Sequence, residues 1–405
     1  MANSFKFSRV ILQEAALQLY NELQFRDLVH IYSAKDWKPK GVGATGPTVD
    51  VPLPVKYLAK DGPTRDPQTI TERSLPVTID QDKHVGLDMS VFDMTLNTEG
   101  QITKASDDFI KPAILTLADS VDDFIAGLGV DINQSVGTAG TAPFSTSQAA
   151  TLQLLGGINQ RMTENGVSQK EKKALIISPE AAGYLPTYFA PLFTKEAQEA
   201  VRTGKLGSAL GFDFYTSNNI RSHTAGSINA GAITNGAAQV GDTINIDGLS
   251  GTTDSVEVGD IVTFAGVYGV NPVNKRQWSS DRLMEFTITE RADEAGSAIA
   301  LKISPSIITS GAYQNVSNAV ADGSAVTLKA SHVANMAIIK NTLCLATMPL
   351  KKPMSAVVAE QVTYKGLSLM LTAAYDLETR QEGCRIDIIF GGRAIYPETG
   401  VRVLG

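Results

Sequence analysis

Apolar residues near the start of the chain fall on one side of a helix. Val10, Ile11, Ala15, Leu19 and Leu23 recur at three- and four-residue steps, with Gln13, Glu14, Asn21 and Glu22 between them. The stripe predicts an amphipathic helix that needs a surface to lie on. The period then changes to two at Val49, Val51 and Leu53. Pro52 and Pro54 each remove a ladder donor, so this segment reads as an edge or free-standing strand. Alternation returns at Val77, Ile79, Val85, Leu87 and Met89, after the turn-rich, charged tip "KDGPTRDPQ". The whole stretch reads as a long two-arm hairpin with few apolar partners of its own. A lone hairpin is marginal in water. Helix and hairpin are therefore expected to rest on something else, which favours assembly.

A second helical stripe runs through Ile102, Ala105, Phe109, Ile110, Ala113, Ile114, Leu117, Val121, Phe124, Ile125 and Leu128. Thr98 and Gln101 have capping-box spacing, and Pro112 should kink or divide the helix. Next, "STSQAATLQLLGGINQRMTENGVS" predicts a helix capped by Ser145 or Thr146, "KKALIISP" a buried strand and "PEAAGYLP" another helix. "TKEAQEAVRTGKLGSALGFDFYTSNN" predicts a helix, a glycine-marked loop and a strand. Between residues 221 and 331 helical periodicity disappears. "DTINIDGL", "GDIVTFAGV", "EFTITERAD" and "AIALKISPSI" alternate with period two, predicting a small all-β barrel or sandwich. Gly266 and Gly269 are read as its bending points, and Gly259-Asp260 as a turn with no ligand set around it. The α+β texture resumes at "HVANMAIIKNTLCLATMPL", so the β-module reads as an insertion into a host domain. The period-two run "TYKGLSLMLTAAYD" and the apolar strand "CRIDIIFGG" close the chain.

Composition narrows the function. At 405 residues the chain holds two or three cores, and 43% hydrophobic with 19% charged residues is an ordinary globular mixture. A formal charge of -7 argues against a protein that grips nucleic acid through phosphates. Cys344 and Cys384 share no C-x-x-C spacing and read as buried free thiols. The four histidines, His30, His84, His223 and His332, share no helical or hairpin ligand spacing, and "TGKLGSALG" lacks the terminal Gly-Lys-Ser/Thr of a phosphate loop. Asp107, Asp108, Asp122 and Asp123 read as solvated edges beside the apolar stripe rather than a metal pair. "DQDKHVGLD" lacks the glycine and distal glutamate of a calcium loop. No catalytic residue, metal or cofactor is expected. Two competing readings remain: a hydrolase or lyase with a β-rich accessory domain, which needs a clustered His/Asp/Glu site, and a carbohydrate-binding module, which needs exposed aromatic platforms.

Several segments in their order resemble a known family. They are the N-terminal helix, "GPTVDVPLPVKYLAKDG", "TIDQDKHVGLDMSVFDMTL", "GKLGSALGFDFYTSNN", "VGDIVTFAGVYGVNP" and "GCRIDIIFGGRAIYPETGVRV". Together they are similar to the major capsid proteins of tailed bacteriophages, of the podophage coat type with an insertion domain in the Hong Kong-type capsid fold. The resemblance implies an α+β fold with an N-terminal arm at 1–47 and an extended loop at 48–97. A spine helix and peripheral domain would occupy 98–140, and the first part of an axial domain 141–220. The inserted β-domain would be 221–331, and 332–405 would close the axial and peripheral domains. The implied function is a self-assembling shell of pentamers and hexamers around double-stranded DNA, in a virion assembled in the host cytoplasm. Implied partners are other copies of the chain, scaffolding protein, portal and, weakly, the packaged DNA; no membrane is expected. Leu12, Leu19 and Leu23 in the arm and Lys60, Asp61, Arg65 and Asp66 at the loop tip are the expected intersubunit contact residues. The stretch "TAGSINAGAITNGAAQ" carries no charge, unlike the acidic protruding loop of relatives, which puts a salt-bridged contact there in doubt.

Overall fold

In the computed structural model the described residues are 4–32, 48–59, 62–63, 67–68, 72–90, 111–189, 208–229, 231–249, 254–353, 358–376 and 381–405. They include helices α1 (Ser4–Glu22), α2 (Lys111–Gly127), α3 (Gln148–Glu164) and α4 (Pro179–Phe189). The chain divides into two compact units. One comprises Met1–Pro52, Ser74–Ile125 and Leu343–Arg393; the other comprises Leu53–Arg73, Ala126–Thr342 and Ala394–Gly405.

The first unit is built on a sheet ordered His30–Tyr32, Leu343–Thr347, Gln381–Ala394, Leu367–Asp376, Val358–Tyr364, with Gln81–Ser90 also paired to Gln381–Ala394. Helix α1 lies against strands Val358–Tyr364 and Leu367–Asp376. Its apolar stripe, Leu12, Ala15, Ala16, Leu19 and Leu23, is fully covered there. The arm helix thus finds its surface on its own chain. The supposed return arm behaves similarly: Gln81–Ser90 runs antiparallel to Gln381–Phe390 over ten residue pairs, so its ladder partner is the C-terminal strand. Among the described residues of the expected hairpin, Thr48–Leu53 and Arg73–Thr78 pair as a two-stranded ribbon. Both corrections have one cause: complementary apolar and hydrogen-bonding surface lay more than 250 residues away, where local pattern cannot see it. The run "TYKGLSLMLTAAYD" is likewise two strands, joined at Lys365 and Gly366, whose φ values of 46° and 96° suit a tight hairpin turn.

In α2 the stripe Ala113, Ile114, Leu117, Ala118, Val121 and Ile125 is buried, and Phe124 meets Phe390 edge-on at 5.3 Å. Pro112 sits in the first described turn of this helix, while Thr98 and Gln101 lie outside the described residues. Asp122, read above as a solvated edge, is only 3% exposed. Its carboxylate accepts the backbone N–H of Gln24 at 2.8 Å and of Phe25 at 3.3 Å, fastening the end of the arm to α2. Burial outweighs those two bonds and raises its pKa from 3.8 to about 6. A carboxyl with a raised folded pKa holds its proton more tightly when folded. Its contribution is therefore full below about pH 4 and lost as pH rises through 6, up to about 3 kcal/mol. The difference in urea midpoint between wild type and Asp122→Asn should accordingly change sign or magnitude between pH 4 and pH 7. A pH-independent difference would refute the buried-proton reading.

The second unit holds a mixed sheet ordered Ser135–Val136, Val401–Leu404, His332–Ile339, Lys173–Ile177, Phe212–Thr216, Ser208–Ala209. Helices α3 and α4 cover it through Leu155, Ile158, Met162, Ala181 and Leu185. The cap of α3 is Ser147, whose hydroxyl accepts from Ala150 N at 3.2 Å, rather than Ser145 or Thr146.

From this sheet a six-stranded antiparallel barrel emerges. Its strand order is Ile233–Thr234, Gly241–Asp247, Ile299–Ile307, Leu283–Ile288, Ile261–Tyr268, Val326–Leu328. The cylinder closes where Val326 N donates to Ala232 O at 3.1 Å and Thr234 N to Ser324 O at 3.0 Å. Alternate inward residues, among them Ile244, Ile246, Val262, Phe264, Phe286 and Leu301, fill it as one core. Strand Ile261–Tyr268 shifts register between Thr263 and Tyr268, around Gly266 at φ 80°. Gly269 lies flat on the Trp278 ring, 2.1 Å from where a Cβ would stand, so only glycine fits.

Candidate functional site

The two chain segments that enter and leave the barrel region are zipped together. Strand Ser222–His223 pairs antiparallel with the start of His332–Ile339, placing His223 directly opposite His332. Two histidines separated by more than a hundred residues thereby become cross-strand neighbours, with ring centroids 5.4 Å apart. No helical or hairpin spacing marks them in the sequence, because a β-ladder between distant segments leaves no local periodicity. They do not form a metal site: no group of three or more His, Cys, Asp or Glu among the described residues is arranged to hold an ion.

What they frame is a buried polar joint. The turn at Gly259 and Asp260 is not a plain corner. Asp260 is 0% exposed. It accepts His223 Nε2 at 2.8 Å, Glu257 N at 2.8 Å and Gly226 N at 3.1 Å. Gly259 itself has φ 95°, and a Cβ would meet the Val130 side chain at 3.0 Å. Below the turn lies Arg402, on the last strand and also fully buried. Its Nη1 donates to Gly259 O at 2.8 Å, and its Nη2 donates to Ile132 O at 2.8 Å and to Val130 O. One guanidinium therefore ties the barrel's turn to the 3-10 turn Leu128–Asp131 and the residue that caps it. Burial lowers its pKa to about 10, with Asp131, Glu285 and Asp260 opposing that shift, so it stays charged at neutral pH.

His332 completes the arrangement. Its Nδ1 lies 2.9 Å from the carbonyl of Ala330 and must carry the proton, which leaves Nε2 as an acceptor 3.4 Å from Arg402 Nη1. Burial, aided by Arg402, depresses its pKa from 6.5 to about 4, so the ring is neutral. This slope is opposite to that of Asp122: stability is lost as pH falls from 6.5 through 4.

A second cluster sits beside the first. Glu285, on barrel strand Leu283–Ile288, accepts Ser135 N at 2.5 Å, Ser135 Oγ at 3.0 Å and Arg161 Nη1 of α3 at 3.0 Å. Arg282 lies 3.8 Å from the same carboxylate, reaches Glu164 at 3.4 Å and covers Trp278 at 4.2 Å. Desolvation, with the Arg161 charge behind it, lowers Arg282 to about pKa 10. These contacts tie the barrel to its host sheet, with Glu285 and Arg282 on the barrel side, Ser135 on the sheet, and Arg161 and Glu164 on α3.

The expected contact residues fare unevenly. Leu12, Leu19 and Leu23 are 1%, 0% and 3% exposed on the chain by itself, so they are internal packing residues rather than a free contact face. The physical reason is that strands Val358–Tyr364 and Leu367–Asp376 already cover them. Lys60, Asp61, Arg65 and Asp66 lie outside the described residues. Cys344 is a buried free thiol, its pKa raised to about 11 by burial.

The family model described as "P22 coat protein - gene protein 5" matches residues 33–405. A search of curated protein sequences finds no match. Solved structures similar to the chain include one from Mycobacterium phage Che8, at 13% identity and TM-score 0.45, covering 89% of this chain and 85% of that one. The capsid of Cyanophage P-SCSP1u is similar at 11% identity and TM-score 0.45, covering 94% and 88%. The mature capsid of bacteriophage PhiM1 is similar at 10% identity and TM-score 0.47, covering 94% and 86%.

Proposed function

The chain belongs to the P22 coat protein family, and from that membership we propose how its parts serve a shell. As a member it is a tailed-phage major capsid protein that builds an icosahedral shell. The finer reading is that copies gather into pentamers and hexamers enclosing double-stranded DNA, with scaffolding protein and portal as assembly partners in the host cytoplasm. In that reading the role is mechanical, and the buried joint replaces an active site. The domain division at 1–47, 48–97, 98–140, 141–220, 221–331 and 332–405 belongs to the same proposal. The barrel's separate core supports the 221–331 segment as a module.

The family match over residues 33–405 carries this reading. A formal charge of -7 is compatible with it, since a shell wall must let packaged DNA slide rather than hold it. Repetition of modest contacts over many copies would then stabilise the container. Electron microscopy of the purified protein tests it. Closed shells, or rings of five and six, are expected; particles that stay single at every concentration, with scaffolding protein supplied, would overturn it.

A further inference from the structure

We infer that Tyr57 is an aromatic anchor for contact with a second copy of this chain, and that Gln68 is the residue that positions it. The inference rests on the shell reading above and deepens it by naming the contact atoms. Tyr57 is 59% exposed, while both of its neighbours along the chain are tied down. On one side, Lys56 Nζ lies 3.9 Å from Glu398. On the other, the Gln68 side chain grips the Leu58 backbone twice: Leu58 N donates to Oε1 at 3.0 Å, and Nε2 donates to Leu58 O at 2.6 Å. One side-chain amide thus does what a whole residue of a paired strand would do, at a place where the described residues form no ladder. The returning arm is braced as well, with the Arg73 guanidinium 4.9 Å over the Tyr313 ring of the barrel region.

The consequence is geometric. Lys56 and Leu58 are half-buried, and Tyr57 between them stands exposed. A tyrosine held this way has little backbone freedom left to lose on binding, and a rigid aromatic with a polar tip is well suited to a buried interface centre. No other aromatic among the exposed large hydrophobics of the described residues is as open: Tyr184 and Tyr215 are each 37% exposed. A shell subunit is surrounded by copies of itself, so the partner that this exposed ring meets is a second copy.

Assembly of Tyr57→Ala, Tyr57→Phe and Gln68→Ala beside wild type, followed by light scattering and electron microscopy, tests this. Tyr57→Ala should raise the concentration needed for assembly about tenfold, with the circular-dichroism melt unchanged. Tyr57→Phe should assemble close to wild type, because the ring carries the contact. Gln68→Ala should fall between them, again without a change in melting. If wild type forms shells and Tyr57→Ala matches it, the anchor role is wrong. If Gln68→Ala melts early yet assembles normally, its role is purely structural and the positioning claim fails. If wild type forms no particles under any condition, the shell reading fails first.

Discussion

Replacing Arg402 with methionine should destabilise the subunit by about 3–5 kcal/mol, read from the shift in urea midpoint. Methionine follows the aliphatic stem of the arginine but stops short of the guanidinium, so part of the loss is packing. What remains is three carbonyls without their donor, those of Gly259 and Ile132, which are buried, and of Val130, which is half-buried. Each unsatisfied buried acceptor costs about 1–3 kcal/mol. Asp260 and Asp131 also lose the positive charge between them. Arg402→Lys should recover only part of the loss, because a single ammonium cannot span three divergent carbonyls as a planar fork does. A loss below about 1 kcal/mol in Arg402→Met would show that the guanidinium is a passenger in the joint. The functional expectation is a barrel no longer held in one orientation, hence fewer closed particles from the fraction that folds.

Glu285→Ala should cost a comparable amount, about 3–5 kcal/mol, by a different route. Here the lost group is the counter-charge: Arg161 and Arg282 would face each other across a space with no carboxylate, and Ser135 would lose the acceptor for both its N–H and its hydroxyl. Glu285→Gln keeps the volume and one acceptor, so it should fall between wild type and Glu285→Ala. A double-mutant cycle with Arg161→Ala separates this account from simple cavity formation. Because the second substitution removes one of the stranded cations, the double mutant should be at least about 1 kcal/mol more stable than the sum of the singles predicts. Strict additivity would mean that the two groups do not act on each other.

The elements of this protein were largely legible in its pattern. The period-two runs read at 242–249, 259–267, 285–293 and 298–307 overlap barrel strands Gly241–Asp247, Ile261–Tyr268, Leu283–Ile288 and Ile299–Ile307, and from the two helical stripes Ala15, Leu19 and Leu23, and Ala113, Ile114, Leu117, Val121 and Ile125, are buried. Alternation and helical spacing are local properties, fixed by which face of an element must leave water. The joint was not read from the sequence: its one local sign is the charged Arg402 within the apolar run "VRVL", and that this strand is buried throughout is a fact of the fold.

Partnership was not legible. Whether α1 covers its own sheet or a neighbour's, whether Gln81–Ser90 pairs with a sequence neighbour or with Gln381–Ala394, and that His223 stands opposite His332 all depend on contacts between segments far apart in the chain. The same holds for Asp122 and Asp260, acids that look solvated in sequence and are buried in the fold. A carboxylate's environment is set by what packs over it, and nothing in the neighbouring residues encodes that. Sequence therefore determined most of the elements, including the strands that form the barrel, and, through its ordered segments, the resemblance to tailed-phage capsid proteins. Tertiary structure alone decided which surfaces are already satisfied within one chain, because hydrogen bonds and apolar burial are won between segments and not along them.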